Sequence, residues 1–267
     1  MPQPRVLILR APGTNCDVET AYAFETAGAT PAVWHLNRLL EKPAGAADFQ
    51  ILCIPGGFSY GDDIAAGRIF GNQIRHHLAG ALGDFKAAGK LILGICNGFQ
   101  VLIKSGILLD DVPVASQGEG DELAPPATLT WNDTGRFEDR LVRLLATGDR
   151  CVFLRGIERM YLPMAHAEGK FIARDGDILG ALDRNGQIAL RYATPAGDSR
   201  NVPYPDNPNG AQLNAAGVCD VTGRVLGLMP HPERHLDPTN HPHWTRGEAG
   251  PVGDGLKLFQ NAVEYFA

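Results

Sequence analysis

The stretch LILGICNGFQVL, residues 91–102, sets Cys96 between Gly94 and Gly98, directly after an apolar β-type run. The spacing Gly94-Ile95-Cys96-Asn97-Gly98 is that of a nucleophile elbow, with cysteine where many hydrolases carry serine. Such a strand-to-helix turn holds its nucleophile in a strained backbone conformation that projects the side chain, and the crowding demands glycine neighbours. It also puts the thiol at a helix N-terminus, where the dipole and free N–H groups favour the reactive thiolate. The N–H of Asn97 can then face a developing oxyanion. A base is still required, because G-x-C-x-G alone is equally the mark of a buried cysteine at a glycine-rich junction.

Among the eight histidines, His231 meets that need best. In GLMPHPERH it follows an apolar strand-like run, at the edge where α/β proteins keep their sites. Glu233, two residues on, can orient the imidazole through Nδ1 while Nε2 addresses the thiol. The others have plainer places: His35 ends a strand, His76 and His77 share a helix, and His241 and His243 stand in a loose loop. His231 and His235 lie four apart, but Pro232 and the lack of a Glu directly after His231 fit no H-E-x-x-H helix, so no metal is expected. In CIPGGFSYGDD, residues 53–63, Gly56 and Gly57 close a strand with a turn whose N–H groups can complete an oxyanion hole. Taken alone, that turn is explained as well by plain chain reversal.

The elements that must position these residues alternate in the βαβ manner of a parallel sheet. Strands are predicted at 5–10, 30–36, 49–55 and 91–95. Helices are predicted at 17–29, within 71–90 up to Gly89, and at 97–106. Beyond them, strand-like runs at 127–132, 151–157, 160–171, 187–194 and 224–230 read as antiparallel additions. Segments 195–212 and 236–255 are too long and too rich in Pro, Gly and Asn for simple connections. Helical spacing returns at the end, with Leu258, Phe259, Val263 and Phe266 on one face. The expectation is one α/β domain over residues 1–267, with a central mostly parallel sheet flanked by helices.

Composition narrows the function classes. The net charge of -6 and the lack of a Lys/Arg cluster argue against nucleic acid. Only four consecutive apolar residues precede Arg10, too few for a signal-peptide core, and no run reaches membrane-spanning length, which points to the cytoplasm. Five cysteines, scattered and without a C-x-x-C pair, argue against a disulfide framework; Cys53, Cys151 and Cys219 read as small buried hydrophobes.

G-x-C-x-G-x-Q at Gly94 to Gln100, Pro-Gly-Gly at 55–57 and His-Pro-Glu at 231–233, in that order, resemble the class I (triad) glutamine amidotransferases, whose fold is flavodoxin-like α/β. The finer matches PGGFSYGDDIAAGRI, GICNGFQVLIKSG, AHAEGKF and NPNGAQLNAAGVCD are similar to the glutaminase subunits of phosphoribosylformylglycinamidine synthases of purine biosynthesis, over nearly the whole chain. HPHWTRGEAGP, in the last long loop, resembles more the tail of fused single-chain forms. The resemblance implies Cys96 as nucleophile, His231 as general base then acid, and Glu233 as its orienter. It further implies Gly57 and Asn97 as oxyanion N–H donors, Gln100 as a substrate-positioning residue, and His166 and Glu168 as polar anchors for glutamine. The implied partner is a synthetase subunit that spends ATP, with Mg, on formylglycinamide ribonucleotide, with room for a third small subunit. No cofactor is expected on this chain, which lacks a G-x-x-x-x-G-K-[ST] loop. The residues alone also admit a freestanding γ-glutamyl hydrolase, a catalytically silent binding subunit, or a redox sensor.

Overall fold

Runs such as VLIL, ILCI and LILGI carry no polar face, so they are stable only when covered on both sides. The computed structural model, which describes residues 3–112 and 125–267, places them in the parallel half of a large sheet. In chain order the strands are β1 (Arg5–Arg10), β2 (Thr30–His35), β3 (Ile51–Ile54), β4 (Leu91–Ile95), β5 (Ala127–Thr130), β6 (Glu138–Ala146), β7 (Arg159–His166), β8 (Lys170–Ala173), β9 (Ile188–Ala193), β10 (Ala215–Cys219) and β11 (Val225–Leu228). The α-helices are α1 (Asp17–Thr26), α2 (Leu36–Glu41), α3 (Arg68–His77), α4 (Ala79–Ala87), α5 (Asn97–Ser105), α6 (Gly176–Arg184) and α7 (Leu256–Glu264).

The main sheet runs β2-β1-β3-β4-β11-β10-β9-β6-β7. Neighbours from β2 to β11 are parallel, and those from β11 to β7 are antiparallel. The predicted fold class, a parallel core with antiparallel additions in the second half, is the one observed. The pairing that matters for chemistry is β4 with β11, where Gly94 faces Gly227 and Ile95 faces Leu228. Both strands point the same way, so the residues just past their ends, Cys96 and Met229 onward, emerge side by side at one sheet edge. β5 and β8 form a separate two-stranded sheet.

Several elements differ from the sequence expectation. Segment 71–90 is not one helix but most of α3 and all of α4, broken at Leu78, whose φ of -122° and ψ of 0° leave the helical region. Segment 160–171 is two strands of different sheets, β7 and β8. CVFLRGI, 151–157, is not a strand but a single turn, Val152–Leu154. Its apolar side chains are buried without strand pairing, and the Asn261 amide of α7 donates to the Phe153 and Arg155 carbonyls at 2.9 and 2.8 Å. Strand β6 and helix α6 arise where no element is predicted. At the C-terminus α7 docks through Leu258 and Phe259, the latter edge-on to Phe24 at 5.0 Å, while Val263 and Phe266 are half-buried against the same core.

Candidate active site

The β4–α5 junction is built as its glycines require. Cys96 has φ +51° and ψ -106°, a conformation that L-residues rarely hold. Its N–H donates to the Leu228 carbonyl at 2.8 Å, which fixes the turn to β11. A Cβ on Gly94 would stand 2.6 Å from the Gly98 carbonyl oxygen, and one on Gly98 would stand 1.9 Å from the Ile54 carbonyl oxygen. Only glycine fits at either position, so the flanking spacing is a packing requirement of the elbow.

His231 arrives beside it from the end of β11, its N–H donating to the Pro163 carbonyl of β7 at 2.8 Å. The Nδ1 atom lies 2.6 Å from Glu233 Oε1, leaving Nε2 for the thiol side. Gly56 marks the point of convergence: a Cβ there would be 2.8 Å from His231 Cε1, 3.1 Å from Cys16 Sγ and 3.5 Å from Cys96 Cβ. Cys96, His231 and Glu233 are therefore brought together against the Pro-Gly-Gly turn, and all three are buried. Gly57 follows with φ +142°, and a side chain there would collide with the backbone of 13–15, so the turn lies flat on the loop after β1.

Burial alone would lower the His231 pKa. The Glu233 carboxylate, the charge of Cys96 and hydrogen bonds with the Cys16 and Cys96 thiols override it and raise the pKa well above the ordinary range. The imidazole thus holds its proton at neutral pH, in position to protonate a leaving group.

The remaining predicted residues form a supporting lattice. Asn97 accepts from the Ser59 N–H at 3.2 Å and donates to Asp62 at 3.0 Å and to Gln100 Oε1 at 2.9 Å. Gln100 donates in turn to the Glu168 carbonyl at 2.6 Å. Glu168 accepts from the Ala66 N–H at 3.2 Å, so its carboxylate ties the AHAEG turn to the loop after Gly57. His166 packs its ring on Gly169 with Nδ1 3.1 Å from Asn132 Oδ1; burial first, then the charge of His231, push its pKa down to about 3. It is a neutral imidazole and brings no positive charge to a carboxylate. His235 is held elsewhere, with Nδ1 2.6 Å from the Tyr161 carbonyl oxygen.

Two residues in the site have no assigned role in the sequence reading, Cys16 and Arg234. Cys16 caps α1, its N–H donating to the Gly56 carbonyl at 3.3 Å, and Arg234 Nη2 lies 3.0 Å from its sulfur. The signal for Cys16 was its place just after β1, at the carboxyl edge of a parallel strand. Burial raises its pKa, against the opposing pull of His231 and Arg234, so it remains a thiol near neutrality. A glutamine-mimicking alkylator should therefore label Cys96 and spare Cys16, Cys53, Cys151 and Cys219. Peptide mapping checks this, and predominant label on Cys16 would make it the nucleophile instead.

Comparison with known proteins gives a consistent set of matches. The model of the CobB/CobQ-like glutamine amidotransferase domain matches residues 3–266. A Dehalococcoides mccartyi protein named phosphoribosylformylglycinamidine synthase subunit PurQ is 45% identical over 266 residues, covering 99% of this chain and 98% of that protein. A Methanococcus maripaludis protein of the same name is 41% identical over 273 residues, covering 98% of each. Both alignments are long enough to include most of loop 236–255, the segment whose sequence resembles the fused forms. Among solved structures, a chain of PurLQS from Thermotoga maritima superposes with a TM-score of 0.72 at 29% identity, covering 100% of both chains. A second Thermotoga maritima structure, a glutamine amidotransferase at 15% identity and TM-score 0.53, shares the fold.

Proposed function

The chain belongs to the CobB/CobQ-like glutamine amidotransferase family, and from that membership and the site geometry we infer that it is the glutaminase subunit of a phosphoribosylformylglycinamidine synthase. The observation that carries the chemistry is the convergence of Cys96 and His231 on Gly56, with Glu233 2.6 Å behind the imidazole.

Cys96 attacks the side-chain carboxamide of glutamine, and the tetrahedral oxyanion is met by the N–H groups of Gly57 and Asn97. Collapse, with a proton from the His231 imidazolium, releases ammonia and leaves a γ-glutamyl thioester on Cys96. His231, now neutral, takes a proton from water, which attacks the thioester and frees glutamate. Glu233 keeps Nδ1 hydrogen-bonded throughout and stabilises each imidazolium. Gln100, His166 and Glu168 shape the glutamine pocket by fixing the AHAEG turn against α5. The ammonia passes to a synthetase subunit that carries ATP and Mg and amidates formylglycinamide ribonucleotide; a third small subunit can complete the assembly. We assign no cofactor to this chain, a single domain over its length, and a cytoplasmic location. Among the described residues no helix is long and apolar enough to cross a membrane.

The test is glutamate release from glutamine by the purified chain, alone and with the synthetase subunit supplied with its nucleotide substrates. Slow turnover alone and strong activation in the complex are expected. Full turnover alone, with no binding to the synthetase, would establish a freestanding hydrolase.

A further inference from the structure

Cys16 gives the site a second thiol that the hydrolytic cycle does not use. One donor atom from each of Cys16, His231 and Glu233 lies within 4.8 Å of the other two. Glu233 Oε1 is already on Nδ1, so its natural part is to hold the imidazole with Nε2 outward. That is the carboxylate–histidine arrangement that backs a metal-binding imidazole. Cys96 stands beside this group: its Cβ and the Cys16 sulfur lie 3.5 and 3.1 Å from where a side chain on Gly56 would begin, and its own sulfur lies 3.7 Å from the Ala165 carbonyl oxygen.

We propose that Cys16, His231 and Cys96 form an inhibitory site for a soft divalent cation of the zinc class, with Glu233 as the orienting carboxylate behind His231. Two sulfurs and one imidazole nitrogen are the donor set such ions prefer, and three protein ligands make an open site. Metal–ligand bonds near 2.3 Å to sulfur and 2.0 Å to nitrogen set donors about 3.5 Å apart, so Cys16 and His231 need only small shifts while the Cys96 sulfur turns from the Ala165 carbonyl onto the ion. Cys16 is a thiol in the free protein, and binding the ion displaces its proton; the Arg234 guanidinium stands 3.0 Å from its sulfur. A bound ion occupies nucleophile and base at once, so glutamine hydrolysis stops. The ion's binding rests on the observed geometry, whereas its effect on glutamine rests on the function proposed above.

The two are separated by measuring metal binding without turnover. Cadmium, a spectroscopic substitute for zinc, is titrated into the full chain kept reduced by a phosphine under argon, and thiolate-to-cadmium absorption is read in the ultraviolet. One equivalent is expected to bind with that absorption. Cys16→Ala should weaken binding at least ~100-fold. Glu233→Gln should weaken it roughly 10- to 100-fold, as loss of an orienting carboxylate does elsewhere. Cys219→Ala, remote from the site, should leave it unchanged. In parallel, zinc should inhibit glutamate release, with EDTA restoring it. Unaltered cadmium affinity in Cys16→Ala, absorption that depends on Cys219, or inhibition that survives EDTA would each overturn the proposal. Metal binding as described with no glutaminase activity in the complex would instead count against the function and leave the site standing.

Discussion

Cys96→Ala should abolish glutamine-dependent formation of the amidine product by the assembled enzyme, by roughly 10⁴-fold or more, while synthesis from high ammonium salt continues near the wild-type rate. The substitution removes only a sulfur from a buried turn, so the surface that meets the synthetase is untouched. His231→Ala should cost a similar factor, and the double variant little more, because neither group works without the other. Independent, multiplying losses would mean that the two residues do not share a step. Glu233→Gln should be milder, roughly 10²- to 10⁴-fold, and should carry a pH signature. Glu233 is the largest influence raising the His231 pKa, so its neutralisation lowers that pKa, and the alkaline limb of the glutaminase profile should move to lower pH. A profile whose alkaline limb stays in place would remove Glu233 from the triad.

Gly98→Ala should be severely damaging for a single-methyl change. The added carbon would stand 1.9 Å from the Ile54 carbonyl oxygen, backbone against backbone, so no rotamer change can relieve it. Either β3 or the first turn of α5 must move. Overpacking of this kind costs about 1–3 kcal/mol, and in a chain of this size the melting temperature should fall by about 3–10 °C. Activity should fall further than stability, about 10²-fold, since an ångström of displacement at the elbow spoils the attack geometry. Gly83→Ala in exposed α4, where an added Cβ meets nothing within 4 Å, is the matched control and should be neutral or slightly stabilising. Thermal unfolding and glutamate release on both variants decide the point; equal behaviour of the two would mean that the tight contact is not rigid.

What could be read from residues alone divides along contact range. The β4–α5 elbow is local: its glycines, apolar strand and helix lie within fifteen residues, and each answers a steric demand of its neighbours. β6 was illegible for the opposite reason. EDRLVRLLA is rich in helix formers and carries charges at Glu138, Asp139, Arg140 and Arg143, yet it lies between β9 and β7, where pairing outweighs propensity. CVFLRGI has the composition of a strand, but its burial comes from packing beneath α7, and Asn261 supplies the backbone partners a neighbouring strand would have given. Cys16 sits in GTNCD, a loop by composition. Only the register of β1 against β3 carries it to Gly56, and no local pattern records that meeting.

The lattice around Asn97 makes distant events felt at the nucleophile. Its side chain grips Ser59 and Asp62, and Asp62 also accepts from the Gly67 N–H, so the loop from 58 to 67 and the start of α5 are tied together. That same loop exposes Phe58 and Ile64, with Phe58 stacked near Phe137 at 6.4 Å. A protein surface that clamps these apolar tips would therefore also hold in place the Asn97 N–H, which we propose meets the oxyanion. Linkage then runs in both directions: whatever factor docking adds to glutamine affinity, bound glutamine must return to docking. The glutamine-loaded subunit would hold its partner more tightly than the empty one by that same factor, so occupancy of a buried pocket is reported at an outer face without any part travelling between them.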